Sequence, residues 1–317
     1  MPLAIQPGDV RAAAARIAPL ARRTPVFTSE RFDAQAGSQA FFKCENLQRG
    51  GSFKIRGAAN LIRSLPSGAL ARGIVAYSSG NHAQAVAIAA RHVGAPAHIV
   101  MPADAPGSKM EATRAQGPRI VTYDRATGNR EAIAAAILRE TGGVLVPPFD
   151  HPLIMAGQGT AALELLDETG PLDALITPVG GGGLLSGCAT IARALHPSIR
   201  IFGAEPAGAN DTFLSLQAGR RVAVPRPDTI ADGLRTPCVG ELTFPVIREL
   251  VESVLLVTDA EIREAVRFLL LDLKILVEAS GAASAAAVLF HKLPAGIRTV
   301  GVVLSGGNID FEELAGY

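Results

Sequence analysis

The sequence predicts a two-lobed α/β fold, each lobe an open, mostly parallel twisted sheet flanked by helices. Three observations carry this. Short apolar strands alternate with helix-length connections from residue 40 to residue 304, the pattern that parallel sheets require. Glycine is abundant at 33 residues and tryptophan is absent, a mix that suits tightly packed helices and ligand loops. Polar or glycine-rich junctions recur where strands end and helices begin, which is where such folds bind ligands. At 317 residues, the chain can bury a sizeable core and fill two domains.

Taken in order, Asp9 is placed to cap a first helix running to Leu20, closed by Arg22 and Arg23. Residues 40–45 read as a strand. A helix follows from Lys54 to about Ser64, with Ser52 as its N-cap because a hydroxyl there can accept from a free backbone N–H. Strands are expected at 73–77, 97–101 and 119–122, alternating with helices at 83–91, 109–116 and 130–140. This block, residues 73–149, reads as a small domain, with residues 1–72 and 150–317 forming the large one. There, helices at 153–168, 184–195 and 242–251 accompany strands at 174–177 and 201–204, and 207–237 reads mostly as loop. Thr258 and Glu261 form a capping box opening a helix to about Leu273. An alanine-rich helix at 280–290 precedes a last buried strand at 299–304.

Composition narrows the function. A net charge of +1 with 19% charged residues leaves no electrostatic footprint for nucleic acid or an anionic membrane. The first apolar stretch is interrupted by Arg11 and Arg16, unlike a signal peptide, and no apolar run is long enough to span a bilayer. Cys44, Cys188 and Cys238 show no paired spacing, so neither disulfides nor zinc are suggested. A cytoplasmic protein acting on a small molecule is the expectation.

Four strand-to-helix junctions hold chemistry-bearing residues. Lys54 follows the turn Gly51-Ser52-Phe53. Held in the first turn of a buried helix, its amine loses hydration and its pKa falls toward the nucleophilic range, as a Schiff-base lysine needs; a lone lysine there also reads as an ordinary solvated charge. Ser78-Ser79-Gly80-Asn81-His82 offers two hydroxyls, a glycine and an amide at a helix start, donors that suit a carboxylate or serve an ordinary capped turn. Gly180, Gly181, Gly182 and Gly183 let backbone N–H groups approach an anion closely at the helix beginning near Leu184. The run lacks the lysine and hydroxyl of a P-loop and the acid of a dinucleotide fingerprint, so a single phosphate monoester fits better. Ser305 in Ser305-Gly306-Gly307-Asn308 would stand at a carboxyl strand end, facing the crevice. Glu205 and Asp211, six residues apart, read either as solvated loop acids or as oxygen ligands for Mg²⁺ or Ca²⁺.

Together, in this order, the junctions resemble the fold-type II pyridoxal-phosphate enzymes, in the serine/threonine dehydratase and serine racemase branch. The resemblance runs from Arg23-Thr24-Pro25 to Gly306-Gly307-Asn308. It implies that Lys54, beside Phe53, is the Schiff-base lysine, and that Ser78, Ser79, Asn81 and His82 bind the substrate carboxylate, with Asn81 also facing the pyridoxal hydroxyl. It implies that Gly180, Gly181, Gly182, Gly183 and Leu184 cradle the cofactor phosphate and that Ser305 partners the pyridine nitrogen. Glu205, Asp211 and the carbonyl of Ala209 match a divalent-cation site, for Mg²⁺, Ca²⁺ or Mn²⁺. Arg130 and Thr236 fall where racemase-like members contact the far end of a dicarboxylate, with Arg235 beside them. The large domain would hold pyridoxal 5'-phosphate and the small one face the substrate. A homodimer is implied, and the chain's end at Tyr317 implies no regulatory domain.

The implied reaction is β-elimination: Lys54 removes the α-proton of a β-hydroxy amino acid, the hydroxyl leaves, and hydrolysis yields a 2-oxo acid and ammonia. L-Threonine and L-serine are the first expected substrates. A serine at the ring nitrogen leaves it unprotonated, a weaker electron sink than a carboxylate partner would make it. Two alternatives stay open on the same site: racemisation, with Ser79 as a second acid/base opposite Lys54, and elimination from 3-hydroxyaspartate, with Arg130 holding the β-carboxylate. From another class, the glycine loop alone would also suit a non-catalytic phosphate-ligand-binding α/β protein.

Overall fold

The computed structural model describes residues 3–105 and 107–317. Two sheets organise them. The six-stranded sheet runs in the order β1-β2-β10-β7-β8-β9, comprising β1 (Val26–Phe27), β2 (Gln39–Cys44), β7 (Ala174–Pro178), β8 (Arg200–Pro206), β9 (Ser253–Val257) and β10 (Thr299–Leu304). The four-stranded sheet runs β5-β4-β3-β6, comprising β3 (Ile74–Tyr77), β4 (Ala97–Pro102), β5 (Arg119–Tyr123) and β6 (Val144–Leu145). Every pairing is parallel except that of β1 with β2.

The first helices are α1 (Pro7–Ile17), α2 (Glu30–Ala36), α3 (Lys54–Arg63), α4 (Ser67–Arg72), α5 (Asn81–His92), α6 (Gly107–Arg114) and α7 (Arg130–Thr141). The remainder are α8 (Pro152–Thr169), α9 (Gly183–Leu195), α10 (Asp211–Ala218), α11 (Thr243–Leu250), α12 (Asp259–Phe268), α13 (Ala279–Leu289) and α14 (Phe311–Ala315). One face of the large sheet is covered by α13, whose residues are all buried and whose alanines let it seat close to the strands. On the same side Phe32 and Phe42 meet edge to face at 4.8 Å. The other face is packed by Leu165, Leu185 and Ile191 of α8 and α9. A third core joins Ile74, Ile99 and Met101 of the small sheet to Val86 of α5, and draws in Ile17, Ile55 and Leu61 from before residue 73.

Helix α3 therefore lies between the two sheets, packed on both α5 and α8. It approaches α8 backbone to backbone: a Cβ added at Gly157 would stand 2.6 Å from the Arg56 carbonyl oxygen. Beneath this crossing is a cluster of buried charge. Fully buried Arg56 donates Nε and Nη2 to the two oxygens of Glu45 (2.7 and 2.8 Å), and Nη1 and Nη2 to the two oxygens of Glu164 (both 2.7 Å). Lys43, also fully buried, donates to Glu164 Oε2 (2.7 Å) and to the Thr24 carbonyl (2.6 Å). Two cations thus face two carboxylates, and strand, 3₁₀ turn and two helices are tied at one point.

Several local expectations change. Asp9 is not the N-cap of α1; Gln6 is, and the Asp9 carboxylate accepts from the Gln6 N–H at 2.8 Å. Ser52 does not cap α3 either: it is extended (φ −161) in a bridge with Gly306, and Phe53 holds the N-cap position. The stretch 207–237 contains α10, whose first turn is capped from outside, because Glu205 accepts from the backbone N–H of Thr212 (3.1 Å) and Phe213 (2.9 Å). Helix α12 stops at Phe268 and continues as a π turn, Leu269–Leu273. Replacing Arg56 by Met should cost about 3–5 kcal/mol of stability by stranding two buried carboxylates. Urea unfolding measures this, and Glu45→Gln in the same background should recover part of the loss.

Candidate active site

Within the large sheet β7 and β10 are parallel, so the junctions that follow them open on the same edge, and the junction after β3 of the small sheet borders the same space. Between them and α3 lies a cleft of ≈ 820 Å³. Its walls include Phe53, Lys54, Ser78, Ser79, Asn81, His82, Arg130, Gly180, Gly181, Gly182, Gly183, Leu184, Thr236 and Ser305. The residues singled out at the four junctions, with Arg130 and Thr236, are brought together. Glu205, Ala209 and Asp211 are not among the residues that line it.

Lys54 opens α3, and its position is set by backbone: Ser52 bridges Gly306, and the Phe53 N–H donates to the Ser305 carbonyl at 3.0 Å. Lysine and serine therefore share one rigid corner. The Lys54 amine donates to the Pro148 carbonyl (2.9 Å) and stands 5.0 Å from the centre of the Phe53 ring. Burial pulls its pKa down to about 8, a fall that a charge on the nearby Glu278 opposes. His82 is buried, and its Nε2 donates to the Val146 carbonyl (2.9 Å). Burial, with the Lys54 charge adding, lowers its pKa to about 3, so the ring is neutral at physiological pH with its proton on Nε2. It is a poor general acid.

The glycine run offers only backbone to the cleft, and a side chain at Gly181 would collide with Phe149, another of the cleft's walls. A Cβ at Gly181 would stand 2.3 Å from the Phe149 ring, and Gly182 caps α9 in the left-handed region (φ +87). The first N–H groups of a helix lack intrahelical acceptors, and here they border the cleft beside a positive helix end. This cradle fits a phosphate. With a depressed lysine opposite and a serine at the strand end, the residues present fit pyridoxal phosphate.

Arg130 opens α7, where its Nε donates to Glu131 (2.8 Å) and its guanidinium lies 5.3 Å over the Tyr77 ring. Arg235 donates Nε to the Thr229 carbonyl at 2.6 Å. Lys109 of α6 reaches across the cleft to Asp232, an ion pair of 2.5 Å between the elements of the two sheets. Sequence reasoning missed Lys109, Asp232 and Glu278. Glu278 had a signal: it is the one acid between Ile275 and Leu289, in an otherwise apolar, alanine-rich stretch.

The buried pair away from the cleft has its own chemistry. Asp211 is fully buried and both its carboxylate oxygens lack a partner, with Glu205 beside it. Burial first, and Asp211 second, push Glu205 up to about 8; burial pushes Asp211 up to about 7. Unpartnered oxygens of this kind fit an oxygen-preferring divalent cation, although no group of three or more His, Cys, Asp or Glu side chains forms a metal cluster among the described residues.

Fold and site define a two-lobed α/β enzyme built around a desolvated lysine facing a phosphate cradle. Residues 17–306 match the family described as "Pyridoxal-phosphate dependent enzyme". The chain belongs to that family, in its group of serine racemases, threonine deaminases and hydroxyaspartate ammonia-lyases. It is 49% identical to an L-threo-3-hydroxyaspartate ammonia-lyase of a Pseudomonas species, over 97% of this chain and 96% of that protein. It is 45% identical to an L-threonine ammonia-lyase of Geobacter sulfurreducens, over 93% of this chain and 73% of that one. The structure of maize serine racemase superposes with a TM-score of 0.95 at 45% identity, covering 99% and 96% of the two chains.

The depressed Lys54 pKa makes a testable statement. In cofactor-stripped protein, the neutral amine is the attacking form, so the rate of pyridoxal-phosphate uptake should rise with pH and level off above about 8. A rate still climbing toward the ordinary lysine value of 10.5 would show that the amine is not desolvated.

Proposed function

We propose that this chain is a pyridoxal-phosphate-dependent ammonia-lyase whose preferred substrate is a 3-hydroxyaspartate. The observation that carries the reading is the pair Arg130 and Arg235 in the one cleft with Lys54. Arg235 makes no ion pair among the described residues, its recorded partner being a backbone carbonyl. A second carboxylate on the substrate would give it one, while serine and threonine carry no carboxylate beyond the α one. The similarity to an L-threo-3-hydroxyaspartate ammonia-lyase supports the same choice. Threonine and serine, the first expectation from sequence, become secondary substrates.

Bound pyridoxal phosphate supplies the electron sink for the charge left at the substrate's Cα. The rest falls to this chain. The amides at Gly180, Gly181, Gly182, Gly183 and Leu184 would hold the phosphate, and Ser305 would hydrogen-bond the ring nitrogen without protonating it. Ser78, Ser79 and Asn81, at the start of α5, bind the α-carboxylate where the positive helix end favours an anion. Lys54, deprotonated above about 8, takes the α-proton. Arg130, Arg235 and Thr236 bind the β-carboxylate and fix which face of Cα the amine meets. His82, neutral and tied to Val146, packs the floor and excludes water. Residues 1–72 and 150–317 thereby serve the cofactor, and residues 73–149 the substrate. Glu205, Asp211 and the Ala209 carbonyl would hold a Mg²⁺-like cation with a structural role.

A second reading, racemisation, rests on Ser79, whose hydroxyl lines the cleft with no protein partner among the described residues. Both readings are tested by a panel of serine, threonine and 3-hydroxyaspartate stereoisomers, assayed for 2-oxo acid and for inversion. A 3-hydroxyaspartate should give the highest kcat/KM. Arg130→Ala should raise its KM about 10- to 100-fold, the loss of one or two charged hydrogen bonds, with little change for serine. Equal loss on both would remove the β-carboxylate reading. Ser79→Ala should abolish any inversion and largely spare elimination. Chelation should lower the melting temperature, and added Mg²⁺ restore it; no change would dismiss the cation.

A further inference from the structure

Glu278 is buried at the N-cap of α13, borders the cleft, and has no role in the chemistry above. Its Oε1 accepts from Asn81 Nδ2 at 2.6 Å, while Oε2 is shut off from water without any partner. The orientation of the Asn81 carboxamide follows from its other side. Asn308 Nδ2 donates to the Gly50 carbonyl (2.8 Å), a group that can only accept, so the atom there is the amide nitrogen, and with Gln84 Oε1 (3.2 Å) it also faces Asn81 Oδ1 as an acceptor (2.9 Å). Asn81 then turns Nδ2 toward Glu278, and its second amide hydrogen is left for a ligand. A carboxylate at Glu278 would strand one charged oxygen in a dry site, a costly arrangement.

We infer that Glu278 is a positioning residue of this site, held as an uncharged acid, that locks the Asn81 carboxamide and keeps a fixed negative charge away from the Lys54 amine. The groups that face it are few. Asn81 comes from α5, Lys54 from α3, Lys109 from α6, Asp232 from the turn before Arg235, and Glu313 from α14. Burial first, then Asp232 and later Glu313, push the Glu278 pKa up to about 8, against the pull of Lys109 and of the Asn81 hydrogen bond. An uncharged acid carries its proton on Oε2, because Oε1 is occupied as an acceptor. A glutamine has the same shape and the same donor in the same place.

The inference rests on the cleft being the cofactor site, and the experiment separates the two. Holoenzyme carrying Glu278→Gln, Glu278→Ala, Asn81→Ala or the alanine pair is compared by the absorption bands of the bound cofactor, their pH dependence, and the rate of cofactor release. Glu278→Gln should keep the neutral-pH bands and release rate of the parent but lose a spectral transition near pH 8. Glu278→Ala should shift the bands and speed release about tenfold, the loss of one buried hydrogen bond. The alanine pair should be no worse than either single change, as coupled residues require. If Glu278→Gln behaves like Glu278→Ala, the charge is required and the inference fails. It fails equally if Glu278→Ala leaves bands and release unchanged, or if the two alanine changes simply add. Loss of the reducible cofactor linkage in Lys54→Ala checks the site itself, whatever Glu278 does.

Discussion

Everything near the cleft hangs on the pairing of Arg56 with Glu45 and Glu164. A guanidinium with no exposure is tolerated only when its donors are met, and here two carboxylates and the Thr160 hydroxyl meet them. The geometry is demanding, since it requires β2 to end, α3 to begin and α8 to pass at fixed separations. Glu45 follows the last residue of β2, and Arg56 lies two residues after Lys54. The ion cluster thus sets where α3 starts and, with it, where the lysine amine stands. An apolar substitute could fill the same volume, but it would not dictate that register. The glycines at the α3–α8 crossing belong to the same constraint, because the salt bridges close only if the backbones touch.

Around that anchor the site is assembled from chain ends. Parallel pairing aligns the carboxyl ends of β7 and β10 in the large sheet, the turn after β3 of the small sheet borders the same cleft, and each strand is followed by a turn rather than by more strand. Two of those turns open long helices, α5 and α9, so anions meet helix starts from two directions. The burial that lowers the Lys54 pKa to about 8 is the same that keeps His82 neutral. Burial disfavours charge at both of these groups, while Arg130 and Arg235, which line the same cleft, stay exposed.

Much of this was legible in the sequence because its signals are local. Period and punctuation placed the strands of both sheets' centres, and the four junction motifs were visible as strings of residue types. What was not legible depends on distant partners. The 207–237 stretch looked like loop because α10 takes its cap from Glu205, which precedes the helix and lies outside it. Ser52 looked like a cap because its tie to Gly306 spans most of the chain. The two-residue strands β1 and β6 and the short helix α4 lack enough residues to show a period. Lys109 and Asp232 are ordinary surface residues until the fold sets them face to face, and Glu278 acquires its meaning only from Asn81 and Asn308. The cation pair was visible as spacing, yet its distance from the cleft was not.

The corner that joins Phe53 to Ser305 and Ser52 to Gly306 has a mechanical consequence. The residues that carry the Lys54 amine and the Ser305 hydroxyl are stapled together through backbone. The Ser78–His82 turn belongs to the other sheet, and its Asn81 is tied across the cleft to Glu278 and Asn308, as Lys109 is to Asp232. In the function proposed above, the groups that would hold the ring and those that would receive the amino acid come from different sheets, joined by these few ties.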